Sequence, residues 1–452
     1  MDFLGSFEYC LATVSQSLWG WPLIFTFIGI GAFATIALNF VQFRYFIASW
    51  KYVLMPGKAA ETAQSGAVMS PLQAFINALG SSTGNGSIAG MATAVYAGGP
   101  GAAFWILVAG LVALVLRFCE VYLATYVIGK HTYGEAKGGP MVYLSLLPGG
   151  KILPYIFTVL MLFYGLASGN AMQVNAIGLG AYSTWAIAPI ITACVLVAFI
   201  AYVMVGGAER ILAISDKLVP FKVAFFFITF LIVLIYHYAN IIPALQLIFA
   251  SAFTPQALTG AAAGFTMQQA IRNGFARSLN ANEAGLGSAG IFFGASGTKQ
   301  PMRTSIMSML SAFISTYLVC FVVALTVVAS GVWDNGLCSI ALTVSAFNTV
   351  FGTYGGWLVT FAAAMFGLGC LVSFSLVARE SWKFLTNGRW IWLFNIIYCL
   401  VTFGGTLAKV DMIWNMNDVV NGLLLLINLY AIIWLMPAIR RGVVHFNKTG
   451  QE

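Results

Sequence analysis

Charge is what this sequence has least of: only 8% of its 452 residues are Asp, Glu, Lys or Arg, against roughly a quarter in soluble domains. That shortage excludes a water-exposed globular surface. Histidine is nearly absent as well, and His131, His237 and His445 stand far apart without an HExxH spacing, so the sequence supports no metal centre. The seven cysteines, Cys10, Cys119, Cys194, Cys320, Cys338, Cys370 and Cys399, include no CxxC pair and fall mostly inside apolar runs, where packing is their ordinary role. A Walker A loop and a nucleophile–base set are missing too, which argues against an enzyme. Residues Met1 to Ser17 hold Asp2 and Glu8 but no Lys or Arg, so the basic region of a secretory signal is lacking and the first apolar run reads as an uncleaved helix.

What the chain does have is apolar length. Hydrophobic residues make up 60% of it and the mean hydropathy is +0.90. Runs long enough for a bilayer crossing, about 20 residues, recur at 18–43, 70–97, 102–128, 152–180, 184–206, 213–238, 262–298, 304–330, 353–378, 390–408 and 413–437. Barrel strands would instead show segments of about ten residues with alternating polarity. The expected class is therefore an all-α polytopic membrane protein with about eleven transmembrane helices.

The few charges set an orientation. With the N-terminus outside, the inner loops receive Arg44, Lys51, Lys58, Lys130, Lys137, Lys151, Arg210, Lys217, Lys299, Arg303, Arg379, Lys383, Arg389, Arg440, Arg441 and Lys448. The outer loops hold Lys409 alone among cations, with Asp2, Glu8, Asp334 and Asp411. This is the positive-inside pattern. It accounts for the net charge of +8 without nucleic acid and places the C-terminus in the cytoplasm.

Two runs are interrupted by small and polar residues: the second at Gly84-Asn85-Gly86-Ser87, the seventh between Gly274 and Ser288. Each opens a set of five runs. From Ser87 to residue 238 is 151 residues and from Glu283 to residue 437 is 154, so the sets match in length. Five is odd, so the second set enters from the opposite side and the repeat is inverted. Inverted repeats with discontinuous helices are the trace of a transporter binding substrate and ion near the midplane. The expected organisation is residues 1–60 as an extra helix and loop, 61–240 and 241–437 as the two repeats, and 438–452 as a cytoplasmic tail.

The glycines at 84, 86 and 90 let backbone leave the helix and free N–H groups for a carboxylate and C=O groups for a cation, with Asn85 and Ser87 adding side-chain oxygens. Close helix packing is the plainer reading of Gly86-xxx-Gly90. Arg272, Asn273, Arg277, Asn280, Asn282 and Glu283 make the seventh run polar; they either contact ligand or pair internally, Arg272 or Arg277 with Glu283. Asn170 and Gln173 are i, i+3 on one helical face, with Asn175 nearby, and serve either the substrate or another helix. Arg117 and Glu120, also i, i+3, read as a structural pair.

The string Gly84-Asn85-Gly86-Ser87-Ile88-Ala89-Gly90-Met91-Ala92-Thr93-Ala94, with Gly98-Gly99-Pro100-Gly101-Ala102 and Phe104-Trp105 after it, resembles the signature of the alanine or glycine:cation symporters. Gly138-Gly139-Pro140-Met141, Gly169-Asn170 with Gln173 and Asn175, Asn282-Glu283-Ala284-Gly285-Leu286-Gly287-Ser288-Ala289, and Trp414-Asn415 with Asp418 and Asn421-Gly422 agree in order. The resemblance covers nearly the whole chain. It implies a fold of leucine-transporter type, a 5+5 inverted repeat plus one N-terminal helix, and sodium-coupled uptake of alanine or glycine across the cell's inner membrane.

It also implies a site: Gly84, Asn85, Gly86, Ser87, Asn170, Gln173, Gly274 and Phe374 around the substrate, and Asn85, Cys370, Ser373, Asn282 and Glu283 around the cation. The family usually has Gly-Thr-Gly-Asn where this chain has Gly84-Asn85-Gly86-Ser87. It usually carries a Thr and a Gly-Trp-Ser where Cys370 and Ser373-Phe374-Ser375 align. Sulfur at 370 is a softer donor than sodium prefers, and Phe374 in place of Trp deletes an indole donor. A proton-coupled or differently selective permease is the alternative, a membrane sensor or channel the distant one. The expected partners are the amino acid, the coupling ion and lipid.

Overall fold

Among the residues the structure describes, six helices are long and apolar enough to cross a bilayer by themselves: Gly101–Tyr126, Leu153–Trp185, Gly207–Tyr236, Pro301–Ala329, Tyr354–Thr386 and Trp414–Thr449. The computed structural model describes residues 10, 11, 13–15, 17–57, 66–134, 136–253, 267–408 and 410–450, without the side chains of 410–413. The charges assigned above to Asp2, Glu8, Lys58, Lys409 and the Asp411 side chain lie outside them, as does the start of the seventh run. Within these residues the chain forms helices and a single antiparallel bridge between Tyr133 and Ala136. That is the all-helical class expected from composition.

In chain order the helices are α1 (Trp21–Ala37), α2 (Phe46–Leu54), α3 (Pro71–Ser82), α4 (Asn85–Gly98), α5 (Gly101–Tyr126), α6 (Pro140–Ser145), α7 (Leu153–Leu166) and α8 (Met172–Trp185). Then come α9 (Pro189–Val205), α10 (Gly207–Tyr236), α11 (Tyr238–Phe253), α12 (Met267–Asn282), α13 (Ser288–Gly294), α14 (Pro301–Phe313) and α15 (Phe321–Ala329). The last four are α16 (Ser339–Phe351), α17 (Tyr354–Thr386), α18 (Ile391–Leu407) and α19 (Val410–Thr449). Each apolar run corresponds to a helix or a helix pair. The second is split into α3 and α4 and the seventh into α12 and α13. Helices α11 and α16 were absent from the sequence reading, because at 16 and 13 residues they are too short to read as crossings.

Two of the long helices contain a π turn, Ala167–Ala171 between α7 and α8 and Ile314–Cys320 between α14 and α15. Each inserts extra backbone and turns the following side chains to new directions. At the start of α3, the sequence Ser-Pro-Leu-Gln builds a capping box: Ser70 Oγ accepts from the Gln73 N–H at 3.1 Å and Gln73 Oε1 accepts from the Ser70 N–H at 3.1 Å. Gln73 Nε2 also donates to Asp216 at 2.9 Å, tying α3 to α10.

Helices α5 and α17 form the middle of the bundle. Helix α5 packs against α12, α13, α14 and α1, and α17 against α3, α7, α8 and α10. Large apolar side chains such as Phe25, Ile47, Val205, Ile235 and Trp392 point outward, the surface a lipid solvent requires. The two ends of the chain are joined: the Trp19 indole donates to the Asp418 carbonyl at 2.9 Å, and Tyr45 Oη meets Asn447 Oδ1.

Gly274 lies inside α12 where it crosses α5; a methyl there would stand 2.7 Å from Trp105 Cβ and 2.8 Å from the Ala102 carbonyl oxygen. Gly274→Val therefore overpacks this crossing, at a cost of about 1–3 kcal/mol. The expected outcome is a lower thermal unfolding midpoint of the purified protein in detergent; an unchanged midpoint would show that the crossing has room to spare.

Candidate functional site

The first helix break leaves α3 and α4 joined by Thr83 and Gly84, the latter in extended conformation (φ −98°, ψ −168°). Opening the helix releases carbonyls at the end of α3 and N–H groups in the first turn of α4. Gln173, on α8, takes one of the latter: its Oε1 accepts from the Asn85 N–H at 2.8 Å, while its own Nε2 donates to the Ser168 carbonyl at 2.9 Å. The carbonyls of Gly80 and Thr83 accept from Lys222 Nζ at 2.8 and 2.7 Å. On the α17 side, Cys370 Sγ donates to the Ser81 carbonyl at 3.3 Å. Two buried polar atoms here, Asn85 Oδ1 and Ser373 Oγ, have no protein partner.

The second break falls at Glu283–Gly287, inside the interval that composition had marked. Glu283, Gly285 and Gly287 all take positive φ, +55°, +84° and +90°, and only for the glutamate is this a strained conformation. Charged side chains from α5 hold the loop. Arg117 Nη1 pairs with Glu120 Oε1 at 2.7 Å, Arg117 Nη2 donates to the Asn282 carbonyl, and Glu120 Oε2 accepts from the N–H groups of Gly285 and Gly287, each at 3.0 Å. Asn428 on α19 donates to the Gly285 carbonyl at 2.9 Å and accepts from Tyr143 Oη at 2.6 Å.

The two breaks touch. Glu283 Oε2 accepts from Ser81 Oγ at 3.1 Å and from Ser288 Oγ at 2.8 Å. Ser315 Oγ, in the second π turn, lies 2.6 Å from the Ser82 carbonyl and 3.2 Å from that of Ala281, so one hydroxyl serves the carbonyl ends of both half-helices. A methyl on Gly86 would stand 3.7 Å from the Asn280 carbonyl oxygen and 3.6 Å from Met172 Cε. The first turn of α4 thus lies against the C-terminal end of α12, with Met172 alongside.

Of the residues named from sequence, Gly84, Asn85, Gly86, Ser87 and Gln173 gather at the first break, with Cys370 and Ser373 against its α17 side. Asn282 and Glu283 sit at the second break, Asn282 bonded to Ser278, Thr316 and the Ala284 N–H. Phe374 is buried against Gly169 and makes an edge contact with Tyr164, ring centres 5.2 Å apart. Gly274 is remote, inside α12. Asn170 does not share a face with Gln173: the π turn directs it to α18, where Nδ2 donates to the Tyr398 carbonyl at 2.9 Å and Oδ1 accepts from Thr402 at 3.0 Å. Asn175 also goes to α18 and its end, donating to Gly405 and Ala408.

The expected pairing of Arg272 or Arg277 with Glu283 is replaced by another. Arg277 pairs with Asp418 of α19 at 3.2 Å and stacks over Trp414 at 4.5 Å, and Asn280 donates to the same carboxylate at 2.8 Å. Glu283 instead points across the break to the Ser81 and Ser288 hydroxyls; six residues past Arg277, it would not share that residue's face even in a continuous helix. Lys222 was missed entirely. Its signal was present, since a lysine inside an apolar run is a functional candidate by default.

At the opposite end of the bundle from the Arg277–Asp418 pair, a cavity of about 640 Å³ opens between Gly66, Gly129, Met141, Ile291, Lys299 and Lys383.

The sequence profile of the sodium:alanine symporter family matches residues 5–452. The chain is 32% identical to the sodium/alanine symporter AgcS of Methanococcus maripaludis over 99% of its own length and 98% of that protein. It is also 32% identical to an uncharacterized transporter of Haemophilus influenzae (96% and 94% covered). With the amino-acid carrier protein AlsT of Bacillus subtilis it shares 29% (92% and 87%). Its fold is similar to that of the Eremococcus coleocola manganese transporter, with a TM-score of 0.51 at 12% identity, covering 79% of this chain and 75% of that one.

Glu120→Ala leaves a buried guanidinium and two buried N–H groups unmatched, a loss of about 3–5 kcal/mol. Little monodisperse protein is expected by size-exclusion chromatography. Asn428→Ala, which deletes bonds to the Gly285 carbonyl and Tyr143 and a longer one to the Glu120 carboxylate at a cost of about 1–3 kcal/mol, should leave folded protein with a lowered melting midpoint. Equal stability of both variants would show that the loop holds itself.

Proposed function

The chain belongs to the sodium:alanine symporter family, and from that premise we propose that it imports a small neutral amino acid, glycine or alanine, the latter L or D, together with sodium. Its class is given by the family: a multi-pass membrane transporter that couples amino-acid movement to a cation, not an enzyme. The observation that carries the finer reading is the approach of α4's first turn to the last carbonyls of α12 beside Gly86. An amino acid has a carboxylate for the first and an ammonium for the second. Opposed half-helix ends recognise both without a buried salt bridge.

In this reading the carboxylate meets N–H groups between Gly84 and Ser87, and Gln173 fixes their direction by holding the Asn85 N–H. The ammonium meets the carbonyls near Asn280. Phe374, one turn after Cys370 on α17, bounds the side-chain pocket and Gly169 leaves the ring its space. Met172 stands beside Gly86 and narrows this region, which favours small side chains. Sodium, a hard ion, is served by the oxygens of Glu283, Ser81 and Ser288 rather than by the sulfur of Cys370.

With the loop cations on the inner side, the 640 Å³ cavity, which Lys299 and Lys383 line, would open to the cytoplasm and the Arg277–Asp418 pair would lie toward the outside. This supports an N-out, C-in chain of about eleven crossings in the cell's inner membrane. It also supports an inward-facing form in a cycle of alternating access. Rocking of one five-helix repeat against the other would part Arg277 from Asp418 as the inner cavity closes.

Uptake of labelled alanine into proteoliposomes tests the reading, with an inward sodium gradient, an inward proton gradient or neither. Sodium should drive accumulation, Ser87→Leu should lower uptake by about tenfold or more by obstructing the α4 turn, and Glu283→Gln should raise the sodium concentration needed for half-maximal uptake. Transport by Ser87→Leu at the wild-type rate would displace the substrate from this turn, and accumulation driven by protons alone would remove sodium from the cycle.

A further inference from the structure

A lysine in an apolar helix needs either a carboxylate or some other source of solvation for its charge. Lys222, midway along α10, is fully buried, and among the described residues no carboxylate forms an ion pair with it. Backbone supplies what side chains do not. Its Nζ donates to the Gly80 carbonyl at 2.8 Å and the Thr83 carbonyl at 2.7 Å, and lies 3.5 Å from that of Phe366 on α17. The first two belong to the interrupted end of α3, where carbonyls are released from helical bonding and carry the negative end of the helix dipole. Oxygens from two helices converging on one unit charge are the surroundings of a dehydrated monovalent cation.

A second observation shows that the protein is shaped around this arrangement. A methyl built on Gly369 of α17 would stand 2.7 Å from Lys222 Nζ and 2.9 Å from its Cδ, so the absence of a side chain there is the slot the lysine occupies. One turn farther along α17, the buried Ser373 hydroxyl has no protein partner. It is a spare polar group at the edge of the same slot, four residues from Gly369.

We infer that the Lys222 ammonium is a tethered cation that fills a monovalent-cation site between the end of α3 and α17, so that sodium does not enter there. The residues first assigned to the cation then separate into two groups. Asn85, Cys370 and Ser373 border the site the lysine holds, and Asn282 and Glu283 border the one left for a mobile ion. For its consequence, that no sodium is carried at this position, the inference rests on the transport reading above. The occupancy of the site does not, and it is tested without substrate.

The test compares Lys222→Ala with Lys222→Met in the purified full-length protein, by thermal unfolding in sodium and in choline chloride with no amino acid added. Alanine removes the charge and opens the carbonyl cage; methionine removes the charge but keeps the cage filled. Sodium should therefore raise the midpoint of Lys222→Ala by about 3 °C or more beyond its effect on wild type, through binding to the folded state alone, and give Lys222→Met no such gain. Equal sodium responses in wild type and both variants would overturn the inference. Should Lys222→Ala not fold, binding of radioactive sodium to the Glu283→Gln protein, in which Lys222 is intact, decides. Loss of the saturable binding that wild type shows supports a filled site; saturable binding that persists overturns it. Failure of wild type to accumulate alanine would remove the transport reading and leave these outcomes untouched.

Discussion

A helix interrupted inside an apolar bundle exposes peptide groups that nothing in the surroundings can hydrogen-bond, and much of the buried polarity in this protein answers that constraint. Arg117, Glu120 and Asn428 converge on the break after α12, while Lys222 and Gln173 converge on the break after α3. These residues lie on α5, α19, α10 and α8. Four distant parts of the chain are thus committed to supporting two short loops.

The two breaks are supported to different degrees. At Glu283–Gly287 a guanidinium–carboxylate pair caps the carbonyl end and the N–H end together, and Tyr143 and Asn428 add neutral bonds behind it. At Thr83–Gly84 the carbonyl end has its cation, but the N–H end has only the neutral amide of Gln173, and Asn85 Oδ1 and Ser373 Oγ remain without partners. Unsatisfied polar atoms in a packed interior mark places where a ligand improves the fit. The firmly held break provides a fixed wall, and the incompletely held one leaves room for exchange. Ser315, reaching carbonyls of both, and Glu283, bonded to serines of both, keep the walls in register.

Much of this was legible in the sequence because hydrophobic length and glycine placement act locally. The apolar runs marked the helices in order; Gly84 marked the first interruption, and the second was bounded only by the interval between Gly274 and Ser288. What depends on helix phase or on distant partners was not legible. Asn170 and Gln173 share a face in an ideal helix, but the π turn at Ala167–Ala171 sends one to α18 and the other to Asn85. One reading paired Arg272 or Arg277 with Glu283, whereas Arg277 pairs with Asp418, 141 residues away on another helix, a partner that local sequence does not reveal. Lys222 was not singled out at all, although its position within an apolar run sets it apart.

The contact between Trp19 and the backbone of Asp418 has a bearing on how the molecule is made. Its two members are separated by 399 residues. At ribosomal rates of about 5–20 residues per second, the first helix spends on the order of 20 to 80 seconds in the bilayer before its partner exists. During that interval Trp19 and the inward face of α1 must be tolerated by lipid or sheltered by helices already inserted, such as α5. Helix α19 therefore finishes a seam whose other edge was laid down hundreds of residues earlier, and a truncation that removes α19 would be felt at Trp19.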